Sequence, residues 1–331
     1  MAKKRNTTTQ QSKRTAKQKK KAVYRIKNWA AYNASLVQRG SLTLWISDEV
    51  LEDWHPAPEG PRQRGGQVRY SDRAIECMLM LKAVFKLAYR QTEGFGQSLL
   101  ELMDTAVTAP DYTTLCKRSA ELSVDLPVGE SNQAKHIVMD STGLKVYGEG
   151  EWKVRQHGYS KRRTWRKLHL SVDAATQAIQ AVVLTEAGVL DATAGCDLLE
   201  ETPGPIEQVS GDGGYDKRKF YEACTARGIA HIAVPPQHNA RIWQHGNSAK
   251  KPLPRDQNLR RIRRVGRKRW KQEAGYHTRS LAETAMFRFK TIFGNHLRTR
   301  TFSRQTTEVR LKCAALNRLT RLGLPDSYRI A

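Results

Sequence analysis

The stretch that decides the fold class is WRKLHLSVDAATQAIQAVVLTE, residues 165–186. Two strand-like segments, 167–172 and 178–184, flank a turn at 173–177. Each segment is short and rich in apolar residues, and a turn signal separates them, which is typical of buried strands. The stretch therefore predicts two neighbouring strands of a buried sheet.

Further elements on either side of this pair complete an α/β order. HIVMD at 136–140 is an apolar run that predicts a strand ending in Asp140. Downstream, the pattern predicts a helix over 217–227 and a buried strand over 229–234, followed by Pro235 and Pro236. A meander of three strands, then alternating helix and strand, then a long helix matches the ribonuclease H-like arrangement. This arrangement is a mixed sheet with flanking helices, and we expect it to occupy residues 131–331.

The N-terminal part of the chain predicts a different organisation. Residues 1–22 contain Lys, Arg, Thr, Gln and Ser but no acids, so we expect a flexible basic arm. Residues 23–130 are expected to be all-helical. Three helices are predicted there, at about 71–89, 98–103 and 113–122. Because the last carries Lys117 and Arg118, the region resembles a helix-turn-helix DNA-binding unit, and a plain helical packing domain is the alternative.

Composition points to a polyanionic partner. The chain has 331 residues and a net charge of +25, with 57 Lys+Arg against 32 Asp+Glu, so nucleic acid is the first candidate. A membrane surface is the rival, but no apolar run is long enough to span a bilayer, and we expect no membrane association. Five scattered cysteines without a CxxC pair fit a reducing compartment, so a cytoplasmic location is expected.

A basic segment at 237–271 interrupts the α/β order. It is polar and crowded with arginines, and Trp243 and Trp270 lie near its two ends. Flanking aromatics and a run of cations favour contact with DNA, whereas a disordered charged loop is the alternative. The arginines proposed as DNA contacts are Arg260, Arg261, Arg263 and Arg264.

Three acids are candidate metal ligands. Asp140 is predicted at a strand end, Asp212 lies in the glycine-rich GDGGYD stretch, and Glu283 lies on a predicted helix. Three gathered carboxylates raise one another's pKa unless cations neutralise them, as two Mg²⁺ or Mn²⁺ ions do in phosphoryl transfer. Either aspartate alone is also compatible with a turn role. Asp216 is assigned the N-cap of the 217–227 helix, and Asp191 is interpreted as a loop residue.

The acid Glu283 lies in YHTRSLAETAMFRFK, residues 276–290. At about 100° per residue, Tyr276, Arg279, Glu283 and Lys290 share one helical stripe. A carboxylate between two cations suits a metal ligand whose neighbours hold a phosphate backbone. The alternative is a solvated face on which Arg279 and Glu283 form an ion pair worth a few tenths of a kcal/mol.

The pattern Y-x2-R-x3-E-x6-K formed by these four residues resembles the signature of bacterial insertion-sequence transposases of the DDE type. Other stretches resemble the insertion-sequence-five family within that group. They are VMDSTGLKVYGEGEW at 138–152, WRKLHLSVD at 165–173, GDGGYD at 211–216 and ALNRLTRLGLPDSYRIA at 315–331. The similarity covers roughly residues 65–331.

The resemblance implies a transposase that binds the terminal inverted repeats of its own element. It also implies metal-dependent cleavage and strand transfer of double-stranded DNA, with Asp140, Asp212 and Glu283 as catalytic metal ligands. Arg279 and Lys290 would contact the DNA backbone, and Tyr276 would position the same strand. In some relatives an aromatic of the insertion stacks on a flipped base, a role open to Trp243.

A homodimer on DNA is expected, because two element ends must be joined in concert. The location implied is the bacterial cytoplasm, in association with the nucleoid. Two other interpretations remain at this point: a ribonuclease H-like nuclease or resolvase that cuts without joining, and a DNA-binding protein without catalysis.

Overall fold

The computed structural model describes residues 23–57, 68–129, 133–146, 165–244 and 253–330. The predicted basic arm, 1–22, lies outside these ranges. So does part of the basic insertion, residues 245–252.

Eight strands and eleven α-helices are formed by the described residues. The strands are β1 (Val23–Ile26), β2 (Lys135–Val146), β3 (Trp165–Asp173), β4 (Ile179–Glu186), β5 (Ile206–Ser210), β6 (His231–Ala233), β7 (His296–Leu297) and β8 (Ser327–Ile330). The N-terminal helices are α1 (Trp29–Gln38), α2 (Asp48–Glu52), α3 (Asp72–Val84), α4 (Tyr89–Leu102) and α5 (Tyr112–Arg118). The remaining helices are α6 (Asp191–Glu201), α7 (Arg218–Ala226), α8 (Pro254–Val265), α9 (Arg267–Glu273), α10 (Ser280–Phe293) and α11 (Phe302–Arg321).

The central sheet is mixed, which confirms the predicted α/β class. Its strand order is β4-β3-β2-β5-β6, with β7 pairing to the far end of β2. The pairs β2–β3 and β3–β4 are antiparallel, whereas β2–β5 and β5–β6 are parallel. The 165–186 stretch forms the predicted hairpin, and Asp173 N donates across its turn to the Ala178 carbonyl at 3.0 Å.

Helices cover both faces of the sheet, so the side chains along β2 pack alternately in two hydrophobic cores, one on each face. Val138 and Leu144 pack in the cluster that includes residues of α10 and α11. Ile137 and Met139 pack in the opposite cluster, with residues of α6 and α7. The period of two that sends successive side chains to opposite faces explains this division.

The N-terminal helices bury their apolar faces in the same cluster as α10 and α11. Met78 and Leu81 of α3 belong to it, as do Val309 and Leu316 of α11. The region is not all-helical as predicted, since it begins with β1, which pairs antiparallel with β8.

Helix boundaries in this region differ from the prediction in one instructive place. Ser71 caps α3, with its hydroxyl accepting from Ala74 N. The gap predicted between the helices at 71–89 and 98–103, where Gly94 and Gly96 lie, is wrong, because α4 runs through both glycines. A Cβ on Gly96 would lie 2.1 Å from Met78 Cε, so this glycine permits close packing of α3 on α4 rather than ending a helix.

A buried ion pair anchors the start of α11. Glu308 accepts from the backbone amides of Arg298 and Thr299 and from Lys312 Nζ at 2.7 Å. Burial pushes the pKa of Glu308 upward, but Lys312 and the donors around the carboxylate outweigh it and lower the pKa. Glu308 is therefore an ionised carboxylate inside the core, where these donors and Lys312 stabilise its charge.

We predict that Glu308→Ala lowers the free energy of unfolding by about 3–5 kcal/mol, because Lys312 is left buried without its partner. Urea denaturation at pH 7 measures this loss, and Glu200→Ala, on an exposed position of α6, is the control with little effect. Because the folded-state pKa of Glu308 is lowered, its contribution is complete above about pH 4.5 and declines as the pH falls below it. An equal loss in both variants would contradict the assignment.

Candidate active site

Asp140 lies in a gap along one edge of β2. The parallel pairing with β5 ends at Val138, and the pairing with β7 begins at Lys145. The strand does not end at Asp140 as predicted, because β2 continues to Val146 alongside β3. Asp140 nevertheless lies just past the last pair with β5, so its carboxylate is at the carboxyl edge of the parallel part of the sheet.

Asp212 follows the end of β5 and caps a short 3-10 turn, Gly213–Tyr215. Its Oδ1 accepts from Gly214 N at 2.8 Å. A Cβ on Gly214 would lie 2.9 Å from Asp212 Oδ1 and 3.0 Å from Asp191 Oδ2. The glycine therefore allows two carboxylates to approach the same turn, as a larger residue would not.

Glu283 lies in the first turn of α10, but the four signature residues do not share one α-helix. Gly275 adopts a left-handed conformation, and the 3-10 turn Tyr276–Arg279 precedes α10. Glu283 and Lys290 lie within α10, Arg279 is its N-cap, and Tyr276 lies at the start of the 3-10 turn. The positive φ of Gly275, 59°, redirects the chain before the helix begins.

The Arg279 guanidinium connects two of the three acids. Its Nη1 lies 3.4 Å from Asp140 Oδ2, and its Nη2 forms an ion pair with Glu283 Oε1. Burial works against the charged guanidinium, but Tyr276, Asp140 and Glu283 outweigh it and raise the pKa of Arg279. The ion pair expected as the alternative for Arg279 and Glu283 is thus present, and it extends to Asp140.

The charges of the other two acids act on the Asp140 carboxyl. Burial raises the pKa of the Asp140 carboxyl, and the charges of Asp212 and Glu283 raise it further. The Ser141 amide, which donates to Oδ1 at 2.9 Å, and Arg279 act in the opposite direction. The ionised form of Asp140 therefore depends on neighbouring positive charge.

Within the described ranges, no group of three or more His, Cys, Asp or Glu side chains is arranged to hold a metal ion. Asp140 and Glu283 instead share Arg279. The donor types still suit a hard divalent cation, since carboxylate oxygens are the ligands it prefers. Gathering the three carboxylates on one ion requires that Arg279 withdraw from between two of them.

Lys290 and Tyr276 lie on either side of the acids. Lys290 Nζ donates to Thr142 Oγ1, two residues beyond Asp140 on β2. Burial raises the pKa of Tyr276, so its phenol stays protonated, and Lys271 Nζ lies 4.8 Å from the centre of its ring. The structure thus places Arg279 beside Asp140 and Glu283, Tyr276 beside Arg279, and Lys290 beside Thr142 on the strand that carries Asp140.

Asp191 is a site neighbour that the sequence interpretation missed. It is the first residue of α6, and its Oδ1 lies 2.8 Å from Lys167 Nζ. Burial pushes the pKa of Asp191 upward, but Lys167 and Ser141 outweigh it and lower the pKa. Burial lowers the pKa of the adjacent His169 to about 4, so that imidazole is neutral at pH 7. Only the packing of α6 against the Asp212 turn brings Asp191 here.

Comparison with protein families shows the family of the chain. A family model described as "Transposase DDE domain" matches residues 131–318, more than half of the chain. The chain belongs to the DDE transposase family. A second model with the same description matches residues 37–149.

Solved structures show weak overall likeness to this transposase. The piggyBac transposase synaptic complex with hairpin DNA is 11% identical in sequence and has a TM-score of 0.38. The matched region covers 86% of this chain and 73% of the piggyBac chain. The simian T-cell lymphotropic virus intasome in complex with PP2A regulatory subunit B56 gamma is 15% identical. The matched region covers 66% of this chain and 70% of the intasome chain, with a TM-score of 0.23.

The basic insertion of the transposase contains two helices, α8 and α9, within its described part. Arg260, Arg263 and Arg264 are exposed on α8. Arg261 is also exposed, but both oxygens of Glu273 accept from its guanidinium at 2.9 Å. Three of the four predicted DNA-contacting arginines therefore have no carboxylate partner among the described ion pairs.

A buried ion pair joins the insertion to the turn that carries Asp212. Arg255 Nε donates to Asp216 Oδ1 at 2.6 Å, and Gln237 N donates to Asp216 Oδ2 at 3.1 Å. The predicted N-cap role of Asp216 is wrong, because Lys217 occupies the N-cap position of α7. Asp216 and Arg255 are 39 residues apart in the sequence, so local sequence patterns did not predict their ion pair.

Trp243, the predicted base-stacking aromatic, is covered on one side by the same ion pair. The Arg255 guanidinium carbon lies 3.7 Å from the centre of its ring, and Tyr221 meets it edge-on at 6.0 Å. Asp256 accepts from Trp243 N at 3.0 Å. In this conformation Trp243 is a packing residue of the insertion, and its predicted role on DNA stays a prediction.

Lys117 and Arg118, on α5 of the transposase, differ in their surroundings. Lys117 is exposed. The Arg118 guanidinium donates to Tyr70 O at 3.0 Å and forms an ion pair with Asp72 at the start of α3. Arg118 thus joins two helices, and its predicted DNA contact would compete with that ion pair.

Within the described ranges, no helix has the length and apolar character needed to cross a bilayer.

We predict that Asp216→Ala releases the insertion, because Arg255 is left buried without a carboxylate. Trypsin cleavage after Arg255, followed by mass spectrometry, should accelerate about 100-fold or more, as expected for the loss of a buried ion pair of about 3–5 kcal/mol. Asp197→Ala, an exposed position on α6, is the matched control and should leave the rate unchanged. Equal rates in wild type and Asp216→Ala would show that the ion pair does not hold the insertion.

Proposed function

We propose that this transposase binds the terminal inverted repeats of a bacterial insertion sequence of the insertion-sequence-five type. It cleaves DNA at the element ends and joins the exposed 3′-hydroxyls to target DNA. The observation that carries the proposal is the position of Asp140, Asp212 and Glu283 at one sheet edge, with Arg279 between two of them. The expected setting is the bacterial cytoplasm, in association with the nucleoid.

The proposed catalytic fold is ribonuclease H-like and spans residues 131–331. The support is the strand order, in which the antiparallel strands β2, β3 and β4 lie to one side of the parallel strands β5 and β6. The parallel neighbours β2 and β5 each contribute an aspartate, Asp140 and Asp212, near the edge at which their pairing ends. Residues 23–130 are the proposed DNA-binding region, with exposed Lys117 as one contact.

The proposed cofactor is Mg²⁺ or Mn²⁺, two ions, held by Asp140, Asp212 and Glu283. When bound, these ions supply Lewis-acid stabilisation of the transferring phosphoryl group and activation of the attacking oxygen. The raised pKa of Asp140 supports the assignment, because a carboxyl that resists ionisation while buried favours a cation beside it.

The basic side chains around the acids act on the DNA backbone. Arg279 offers a planar fork of N–H donors that matches a phosphate, and Lys290 offers a compact positive charge. Arg279 is half-buried and already positioned by Asp140, so it can exchange a carboxylate for a phosphate with a small movement. Tyr276, held between Lys271 and Arg279, can donate its phenolic proton to the same strand.

The catalytic acids are tested by three isosteric variants, Asp140→Asn, Asp212→Asn and Glu283→Gln. Each should reduce cleavage of a duplex carrying the inverted repeats by about 1000-fold or more, because a group acting on the reacting atoms is removed. Electrophoretic mobility shifts should show DNA affinity within about threefold of wild type, since backbone contacts remain.

Asp197→Asn on the exposed face of α6 is the matched control and should keep full cleavage. Any acid whose variant cleaves at the wild-type rate does not belong to the triad. A wild-type protein that cleaves but yields no joined product would instead be a nuclease or resolvase, and one that only binds DNA would be a non-catalytic DNA-binding protein.

The exposed arginines of α8 are proposed to contact DNA phosphates. Changing Arg260, Arg263 and Arg264 together to Gln should flatten the slope of log K against log[salt] by about 0.9 for each phosphate that is no longer neutralised. Fluorescence anisotropy over a salt series measures the slope. Arg261→Gln is the control, with a smaller change expected because Glu273 already neutralises that guanidinium. An unchanged slope in the triple variant would identify this face as merely solvated.

A homodimer on DNA is also proposed, because two element ends must be brought together for concerted joining.

A further inference from the structure

Phe287 is an aromatic side chain exposed beside the candidate active site. It is 70% exposed, more than the other exposed aromatic residues in the described part of the chain. It lies on α10, one turn after Glu283 and three residues before Lys290. At about 100° per residue, its side chain projects about 40° from Glu283 and about 60° from Lys290 around the helix.

The helix that carries Phe287 is firmly anchored. Its neighbours Met286 and Phe289 are buried in the core shared with α11, and Phe289 packs edge-on against Phe293 with ring centres 5.5 Å apart. Phe287 points away from this core. Among the described aromatic pairs and cation contacts, its ring has no partner.

We propose that Phe287 stacks on a nucleobase of the DNA strand bound across the acids. This inference rests on the proposed function and deepens it. A single exposed apolar residue needs no explanation by itself. Here, however, the ring lies on a rigid helix beside Glu283. Arg279 and Lys290, which are suited to hold phosphates, lie on the other side of Glu283, about 80° and about 60° around the helix from Phe287.

A strand held by its phosphates at Arg279 and Lys290, on one side of Glu283, would present its bases or its sugars to the neighbouring surface of α10, where Phe287 lies. A phenyl ring there offers an apolar face to a base without regard to its identity, which is how sequence-tolerant stacking platforms work. In this conformation one face of the Trp243 ring is already covered by the Arg255 guanidinium, whose carbon lies 3.7 Å from the ring centre. The net charge of +25 favours a polyanion over a second protein copy as the occupant of this surface.

The test uses the full-length Glu283→Gln protein, so that binding is observed without cleavage. The probe is a duplex of the inverted repeats with 2-aminopurine placed in turn at each position around the cleavage point. At one position, binding should change the fluorescence through stacking. Phe287→Ala in the same background should abolish that signal and weaken binding by about 5- to 150-fold, the range seen when a stacking aromatic is removed.

Further variants separate stacking from a general apolar contact. Phe287→Trp should retain the fluorescence change and the affinity, whereas Phe287→Leu should lose both. Tyr328→Ala, an exposed aromatic on β8 outside the central sheet, is the control with no effect. Thermal unfolding should be the same in all variants, because the Phe287 ring is exposed.

Two outcomes would overturn the inference. A Phe287→Leu protein with wild-type fluorescence and affinity would show that aromaticity is not used. A Phe287→Ala protein that binds DNA normally but loses self-association in analytical ultracentrifugation would identify the surface as a protein contact. Failure of the proposed function looks different, because wild-type protein would then neither cleave nor prefer the inverted repeats.

Discussion

Repulsion between carboxylates at one sheet edge is the constraint on which the site depends. Two unit charges 4 Å apart repel by about 4 kcal/mol at the effective dielectric of a protein surface, so a fold that gathers acids must also supply positive charge. Arg279 supplies it here, by contacting both Asp140 and Glu283. The positive φ of Gly275 and the short 3-10 turn matter because they set this guanidinium at the start of α10. The ion pair of Arg279 with Glu283 and the proposed catalytic acids are thus parts of one arrangement.

On the proposed function, the same constraint would link the two ligands of the site. A cation held by the acids would compete with Arg279, and a DNA phosphate bound to Arg279 would remove this competitor. By thermodynamic reciprocity, each ligand would then favour the other by the same factor. Arg279 would thus neutralise the acids until DNA is in place.

Much of the catalytic sheet was predictable, because its signals are local. The hairpin over 165–186, the strand before Asp140 and the acids themselves follow from apolar runs, turn residues and helical spacing. The errors arose where long-range contacts decide. Asp216 looked like a cap because only its sequence neighbours were visible, whereas its partner Arg255 lies in the insertion. Asp191 looked like a loop residue because nothing in the sequence indicates that α6 packs beside the Asp212 turn. Gly96 suggested a helix break because glycine disfavours helices, but Met78 needs the space.

The shared core of the N-terminal helices and α11 has a consequence for how the protein is made. Met78 and Leu81 leave the ribosome well before the α11 residues that cover them, such as Val309 and Leu316, which follow much later in the chain. At about 5–20 residues per second, the wait is on the order of 10–50 s. During that interval the apolar faces of the early helices stay exposed to solvent and to chaperones. A chain that stops before α11 therefore lacks the packing that completes this region, and correct folding of the N-terminal helices is tied to synthesis of α11.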